Sequence, residues 1–334
     1  MSDHQAVAWL AATLERVAPP SRDIVSVLTY HRVDEPDHRP ELYPGLISAT
    51  PDQFDAQITF LKQHYEIISI SDLLDVRQGR GRPPRRSLLL TIDDAYRDLA
   101  EHAWPTLRRH GVPAAVFVPT AYPGAAVRGF WWDRLYHALM TTRRPTLRDG
   151  GAAALGLRSH DDRLIAYRTL RTKLHRLPHE EAMALADRWI AELGAAASSN
   201  AVLTWAQLRD LAAQGLAVLP HSRTHARLDR LPPGALEDEI GGSLADLERE
   251  LGPTSPVFAY PAGGADATAV AAVRRSGFQI AFTTQRGSND VSRPDWLRMR
   301  RINVGGRSAL PVLRLQLGAL AWSARLGRRA NIGR

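Results

Sequence analysis

Residues 88–98 read LLLTIDDAYRD. The apolar run is short, rich in leucine and isoleucine, and bounded by polar residues, so it reads as a buried strand rather than a helix. It ends by setting Asp93 and Asp94 side by side, where each carboxylate raises the cost of ionising the other. A turn would need only one of them. The flanking sequence indicates what the second is for.

Working outward, strand-like and helix-like segments alternate. SVLTY (26–30) is a β-type run. TPDQFDAQITFLKQH follows, with Thr50 and Gln53 in capping-box spacing and Pro51 at the first helical position. SISDLLDV reads as a short helix capped by Ser71, and a helix around AYRDLAEHAWPTLRRHG closes at Gly111. AAVFVP is again strand. Residues 125–200 lack strand signals and hold helical stretches, so they read as a helical insertion. The alternation resumes with TWAQLRDLAAQG, where Thr204 and Gln207 form another capping box. It continues through LAVLPHS, PGALEDEIGGSLADLEREL, PVFAYP, ATAVAAVRRSG and QIAFTT. Repeated strand–helix units imply parallel strands joined by crossover helices. In an α/β barrel the chemistry sits at the C-terminal strand ends. Asp93 and Asp94, His221, and Tyr260 to Gly263 each follow a strand.

The 334 residues contain no cysteine, so disulfides and thiolate ligands are excluded and any metal must be held by His, Asp, Glu or backbone oxygen. The net charge of +8 is mostly arginine, in clusters such as GRGRPPRR (79–86) and RMRR (298–301). Such a balance suits nucleic acid, anionic lipid or a phosphorylated glycan carrier, although a solvated arginine-rich surface explains it more simply. No nucleic-acid motif is present, so nucleic acid is not an expected partner. The first residues form an amphipathic pattern without a basic n-region, and no apolar run reaches spanning length. The expectation is a cytoplasmic protein, with an N-terminal helix over 1–22, a catalytic barrel over 23–305 and a basic amphipathic tail over 306–334.

HSRTH (221–225) places two histidines four apart, a spacing at which both imidazoles reach one metal from one face of a helix or helical turn. Alone this is a weak signal. Beside an Asp-Asp strand end it defines a His-His-Asp set with coordination positions left open, the arrangement of a catalytic site. One aspartate would bind the metal, whose charge offsets the mutual repulsion of the pair. Its neighbour stays free to take a proton from activated water.

Read in order, LTYHRV, LLLTIDDAYRD, LRRHGVPAAVFVP, LPHSRTHARL, FAYPAG and GFQIAFTT resemble the polysaccharide deacetylase family, carbohydrate esterase family 4. The resemblance covers most of residues 25–305 outside the insertion. It implies a distorted (β/α) barrel of about seven units, and metal-dependent removal of N- or O-acetyl groups from a sugar, usually N-acetylglucosamine. By the family pattern Asp93 is the general base. Asp94, His221 and His225 are ligands to a divalent ion, most often Zn²⁺, and the hydroxyl of Ser222 or Thr224 braces their loop. Tyr260 and Pro261 shape the pocket wall, and the Ala262 N–H faces the oxyanion.

The sequence departs from that pattern in three places. Ala95 stands where the family has glycine, a modest change if its φ is negative. Ala259 replaces an arginine that orients the base, a charge Arg301 would supply from elsewhere. A late histidine is missing; a permuted branch of the family carries it early, in a Y-H motif, which makes His31 the expected general acid. FWWDRLYHAL (130–139) would either stack sugar rings or pack the insertion onto the barrel. The tail, mixing leucines, tryptophan and arginines, would either dock on the barrel or lie on an anionic membrane. The expected substrate is an acetylated sugar or glycan in polysaccharide synthesis. The rivals are hydrolysis of a non-sugar amide on the same scaffold and a catalytically silent glycan-binding module.

Overall fold

The structure is a computed structural model that describes residues 21–124, 129–150, 154–194 and 201–332, with side chains through 324. The N-terminal helix expected over 1–22 lies almost wholly outside the described residues.

Seven parallel strands form the core: β1 (Ile24–Tyr30), β2 (Ser87–Asp93), β3 (Ala115–Val118), β4 (Ala217–Pro220), β5 (Val257–Ala259), β6 (Ile280–Arg286) and β7 (Met299–Asn303). Their spatial order is β5-β6-β7-β1-β2-β3-β4, which is chain order wrapped around a circle. The protein is therefore an α/β barrel that closes except for one seam, between β4 and β5. Two side-chain bonds bridge that seam: the Thr254 hydroxyl to the Val218 carbonyl (3.0 Å) and His221 Nδ1 to the Ala259 carbonyl (2.7 Å).

Helices cover the outside: α1 (Pro51–His64), α2 (Ile70–Arg77), α3 (Trp104–His110), α4 (Trp131–Thr141), α5 (His160–Leu174), α6 (His179–Leu193), α7 (Trp205–Ala213), α8 (Pro233–Leu251), α9 (Ala267–Arg275) and α10 (Leu310–Ile332). Thr50 and Thr204 close reciprocal capping boxes with Gln53 and Gln207 on α1 and α7. The cap of α2 is Ser69 with Asp72, not Ser71, because Ser69 has the extended backbone that lets its hydroxyl accept the Asp72 N–H. Before α3 the chain makes a π-helical turn over Leu99–Ala103, and Gly111 ends the helix in the left-handed conformation. Between β3 and β4 lie α4, α5 and α6, packed on one another through Leu139, Tyr167, Leu170 and Trp189. Among the described residues of this segment, a two-residue ladder pairs Thr146–Leu147 with Leu155–Gly156 between α4 and α5.

Strand periodicity sorts the core into two layers. Leu88, Leu90 and Ile92 of β2 face the helices, with Leu28, Val116 and Ile302. Leu89 points into the barrel, with Val27, Phe117, Leu219, Ala259, Phe282 and Met299. At the C-terminal end of the molecule Leu313 and Leu317 of α10 are buried in the outer layer. Of the two roles considered for the tail, docking on the barrel is the one residues 310–324 take, and nothing here supports contact with a membrane. Among the described residues, no helix is long and apolar enough to cross one.

Candidate active site

The interior layer, continued to the strand ends, selects the residues at the barrel mouth. On β2 the inward positions are Leu89, Thr91 and Asp93. On β7 they are Met299 and Arg301, on β6 Phe282 and Thr284, and just past β1 and β4 the same parity reaches His31 and His221. The cavity at this mouth, about 170 Å³, is lined by His31, Asp93, Asp94, His221, His225 and Thr284, with Trp131, Trp132 and Ala262 at its sides.

Alternation alone would send Asp94 to the helix layer. It is turned back because Asp94 (φ 72°) and Ala95 (φ 52°) both adopt left-handed backbone, while the Asp94 N–H donates to the Phe117 carbonyl (3.0 Å). Ala95 therefore does not enter a helix with negative φ. It sits where glycine costs nothing and a Cβ costs on the order of 1–2 kcal/mol. Ser222, His225 and Ala262 are left-handed as well. Only Arg86, of the described non-glycine residues with positive φ, lies outside this site. Strain of this kind persists where the surrounding structure enforces it.

Asp93 is buried against Arg301, whose two terminal nitrogens donate to the two carboxylate oxygens at 2.8 Å each. The Arg301 Nε donates to the Thr283 carbonyl (3.0 Å) and its guanidinium lies 5.8 Å from the Phe117 ring centroid. Burial pushes the Asp93 carboxyl up, but Arg301 and then His221 outweigh it and hold the group below the ordinary carboxylate range. Ala259, where an arginine was missed, is fully buried in the barrel interior. The charge that faces Asp93 comes instead from two strands further round.

His221, His225 and Asp94 each offer one ligand atom, all within 4.8 Å of one another. His225 Nε2 lies 3.2 Å and His221 Nε2 3.9 Å from Asp94 Oδ1. The pair sits on a loop, not a helical turn, since Ser222 and His225 both have positive φ. His221 Nδ1 is occupied by its bond to the Ala259 carbonyl, which leaves Nε2 as the inward lone pair. Burial lowers the His221 pKa to about 4, so the ring is neutral near pH 7. Asp94 Oδ1 is buried and makes no hydrogen bond. A buried carboxylate oxygen left without a donor, facing two imidazole nitrogens, suits a cation and little else. The contrast with a second cluster supports this. Asp34, His38 and His102 are also close enough to share an ion. There Asp34 already accepts from Arg32 (2.8 Å) and Arg39 (2.9 Å), so its charge is taken.

Three supports were not legible beforehand. Glu239 of α8 holds the histidine loop, accepting from the Arg223 N–H (2.9 Å), the Thr224 N–H (3.0 Å) and the Thr224 hydroxyl (2.6 Å). Thr224 is thus the bracing hydroxyl, while the Ser222 hydroxyl is buried without a hydrogen-bond partner. Asp98, the last residue of LLLTIDDAYRD, accepts from Arg32 Nε (2.9 Å) and the Val33 N–H (3.2 Å), tying the segment that carries His31 to the one that carries the aspartates. Tyr96 donates to Asp133 (2.6 Å) and accepts from the Trp132 indole (2.8 Å), which anchors α4 beneath the same turn.

Tyr260 requires a correction. By the parity of β5 it shares the outward face with Phe258, and it is fully buried there among Leu228, Ile240 and Val270, away from the cavity. Pro261 is likewise buried. Of that segment Ala262 alone lines the cavity. Gly263 (φ 76°) follows it, where a Cβ would fall 2.0 Å from the Thr284 hydroxyl. His225 packs edge-on to Trp132, with ring centroids 4.8 Å apart, and Trp132 stacks on Phe130 at 4.4 Å. The aromatic stretch therefore both anchors the insertion and walls the cavity.

Residues 173–281 match the model of the family described as Polysaccharide deacetylase. A poly-β-1,6-N-acetyl-D-glucosamine N-deacetylase of Staphylococcus aureus is 31% identical over 78 residues, which is 23% of this chain and 27% of the relative. The Staphylococcus epidermidis protein of the same name is 27% identical over 107 residues, 29% of this chain and 37% of its own. The matches thus span only 27% to 37% of the length of those relatives. Among solved structures, the deacetylase PplD of Streptococcus pyogenes, in complex with acetate, superposes with a TM-score of 0.60 at 18% identity, covering 89% of this chain and 99% of that one. IcaB from Ammonifex degensii gives 0.57 at 19% identity, covering 90% and 97%. These likenesses establish the shared fold.

Proposed function

We infer that this chain belongs to the polysaccharide deacetylase family and hydrolyses the acetamide of an N-acetylhexosamine in a glycan or glycan precursor, releasing acetate and a free amine. The observation that carries this reading is the convergence of Asp94, His221 and His225 beside an Asp93 gripped by Arg301, at one barrel mouth. Two imidazole nitrogens and a carboxylate suit a divalent ion of the zinc type. Such an ion would supply Lewis acidity for the acetyl carbonyl and lower the pKa of water.

The chain's own residues divide the remaining work. Asp93 accepts the proton of the attacking water, and the two-point grip of Arg301 fixes the carboxylate's plane for that transfer. The water oxygen adds to the acetyl carbon, the carbon–nitrogen bond breaks, and His31 delivers a proton to the departing nitrogen. The Ala262 N–H donates to the oxyanion formed on the carbonyl oxygen. Trp131 and Trp132 line the cavity, and aromatic walls are a surface that pyranose rings pack against. The names of the staphylococcal relatives favour N-acetylglucosamine as the sugar.

Asp93→Asn is expected to lower kcat on N-acetylglucosamine oligomers by about 10²–10⁴-fold, with metal content unchanged by elemental analysis. Near-normal acetate release from that variant overturns the role of Asp93. No acetate release by the metal-loaded wild type, from free or carrier-linked acetylated sugars, overturns the reading as a whole.

A further inference from the structure

The cavity does not end at the catalytic residues. Arg171 and His175 line it and also line an open groove beside it, completed by Arg168 and Arg176 from the α5 region and by Arg227 and Arg230 from the segment after the histidine loop. His175, Arg227 and Arg230 in turn line a depression shared with His225 and Ala262, so the groove and the catalytic mouth are continuous.

Among the described residues, no acidic residue lines this groove. Arg227 is neutralised by Asp229, at 2.7 Å. Arg168, Arg176 and Arg230 have no carboxylate partner among the described residues. Arg171 rests against the Tyr43 ring, with its guanidinium carbon 5.5 Å from the centroid, and reaches the Tyr43 hydroxyl at 3.4 Å. Arg168 and Arg171 are three apart on one helix, a like-charge spacing that costs helix stability unless a counter-charge is present. Burial, and after it Arg171 and Arg227, hold the His175 pKa down to about 4. One carboxylate would satisfy one of these arginines. A diphosphate, with several acceptor oxygens and more than one charge, would engage several at once.

We propose that this groove binds a phosphate or diphosphate attached to the sugar being deacetylated, so that the natural substrate is an anionic, carrier-linked acetylated sugar rather than a neutral polymer. The proposal rests on the reading of the mouth as a deacetylase centre. Two carriers share the chemistry, a nucleotide and a prenyl lipid.

The test compares acetate release by the metal-loaded enzyme from three N-acetylglucosamine derivatives: the neutral methyl glycoside, the uridine diphosphate conjugate and the diphosphate ester of a short isoprenoid. At least one diphosphate substrate is expected to exceed the methyl glycoside in kcat/KM by about tenfold or more, with an advantage that shrinks as salt rises. The Arg168→Gln/Arg230→Gln double variant should lose most of that advantage, chiefly through KM. Its two sites are exposed, and an unchanged melting temperature confirms the fold. Preference for one diphosphate over the other identifies the carrier; equal use shows that the diphosphate alone is read. Equal use of neutral and anionic substrates overturns the proposal, as does a preference that survives the double substitution, which chelation of the metal would produce. A uronate-bearing oligomer preferred over both diphosphates overturns the phosphate assignment. Calorimetric binding of uridine diphosphate separates the two levels of inference. Arginine-dependent binding without acetate release from any substrate leaves the subsite standing and sinks the deacetylase reading. Acetate release without such binding does the reverse.

Discussion

At the scale of single residues, the site is built by one rule and one exception to it. Period-2 alternation aims Asp93, Arg301, His221 and Thr284 inward and sends Tyr260 outward into an apolar layer. The exception is the left-handed pair Asp94-Ala95, which lets two consecutive carboxylates share one cavity. Ala95 is the sterically costly half of that device, because its buried Cβ stands where glycine would be free of strain. Ala95→Gly is therefore expected to stabilise the fold by up to about 1 kcal/mol in urea denaturation, the relief of left-handed strain exceeding the added freedom of the unfolded chain. A loss of stability would show that the Ala95 methyl group packs more favourably than its backbone is strained. The aspartate pair and the histidine pair were legible in the sequence because residue type and spacing alone announce them. Arg301 was legible as a candidate partner of Asp93, but its two-point grip was not, since that depends on strand parity and on which strands face each other across the barrel.

At the scale of elements, α4 couples the inserted helices to the catalytic turn. Asp133 accepts from the Tyr96 hydroxyl (2.6 Å) and the Tyr43 N–H (2.8 Å), with Trp132 completing the link to Tyr96. Burial raises the Asp133 pKa to about 7. Between its ordinary value and that one, the unfolded chain has released a proton that the folded chain keeps. Stability contributed by the protonated group is thus fully present below about pH 4 and is lost as pH rises to about 7, with a slope of at most about 1.4 kcal/mol per pH unit. Asp133→Asn removes this titration. The stability difference between variant and wild type, followed by urea melts across that range, should move in favour of the variant as pH rises. A difference independent of pH would mean that Asp133 is ionised throughout.

At the scale of the whole molecule, seven strands in chain order close on themselves except at the β4–β5 seam, and the bond from His221 to Ala259 spans that seam. One imidazole thus helps close the barrel and faces the candidate metal position. The opposite part of the wall, behind β1, is covered by α10, where Leu313 and Leu317 fill the outer layer. Leu317→Ala is expected to cost about 2–5 kcal/mol by leaving a cavity beneath that helix. A change within about 0.5 kcal/mol, the range of ordinary surface substitutions, would mean that the helix is only loosely held.

The sequence by itself determined the alternation of strands and helices, the barrel class, and the Asp-Asp and His-x-x-x-His pairs, because these are written in local spacing and residue type. Only the tertiary structure decided that Arg301 grips Asp93, that Glu239 and Asp98 brace the loops, that Tyr260 turns away, and that arginines from separate segments line one groove beside the cavity. Those facts depend on how strands wrap around a barrel and where the chain turns left-handed. Such long-range geometry leaves no period or motif in any one stretch of sequence.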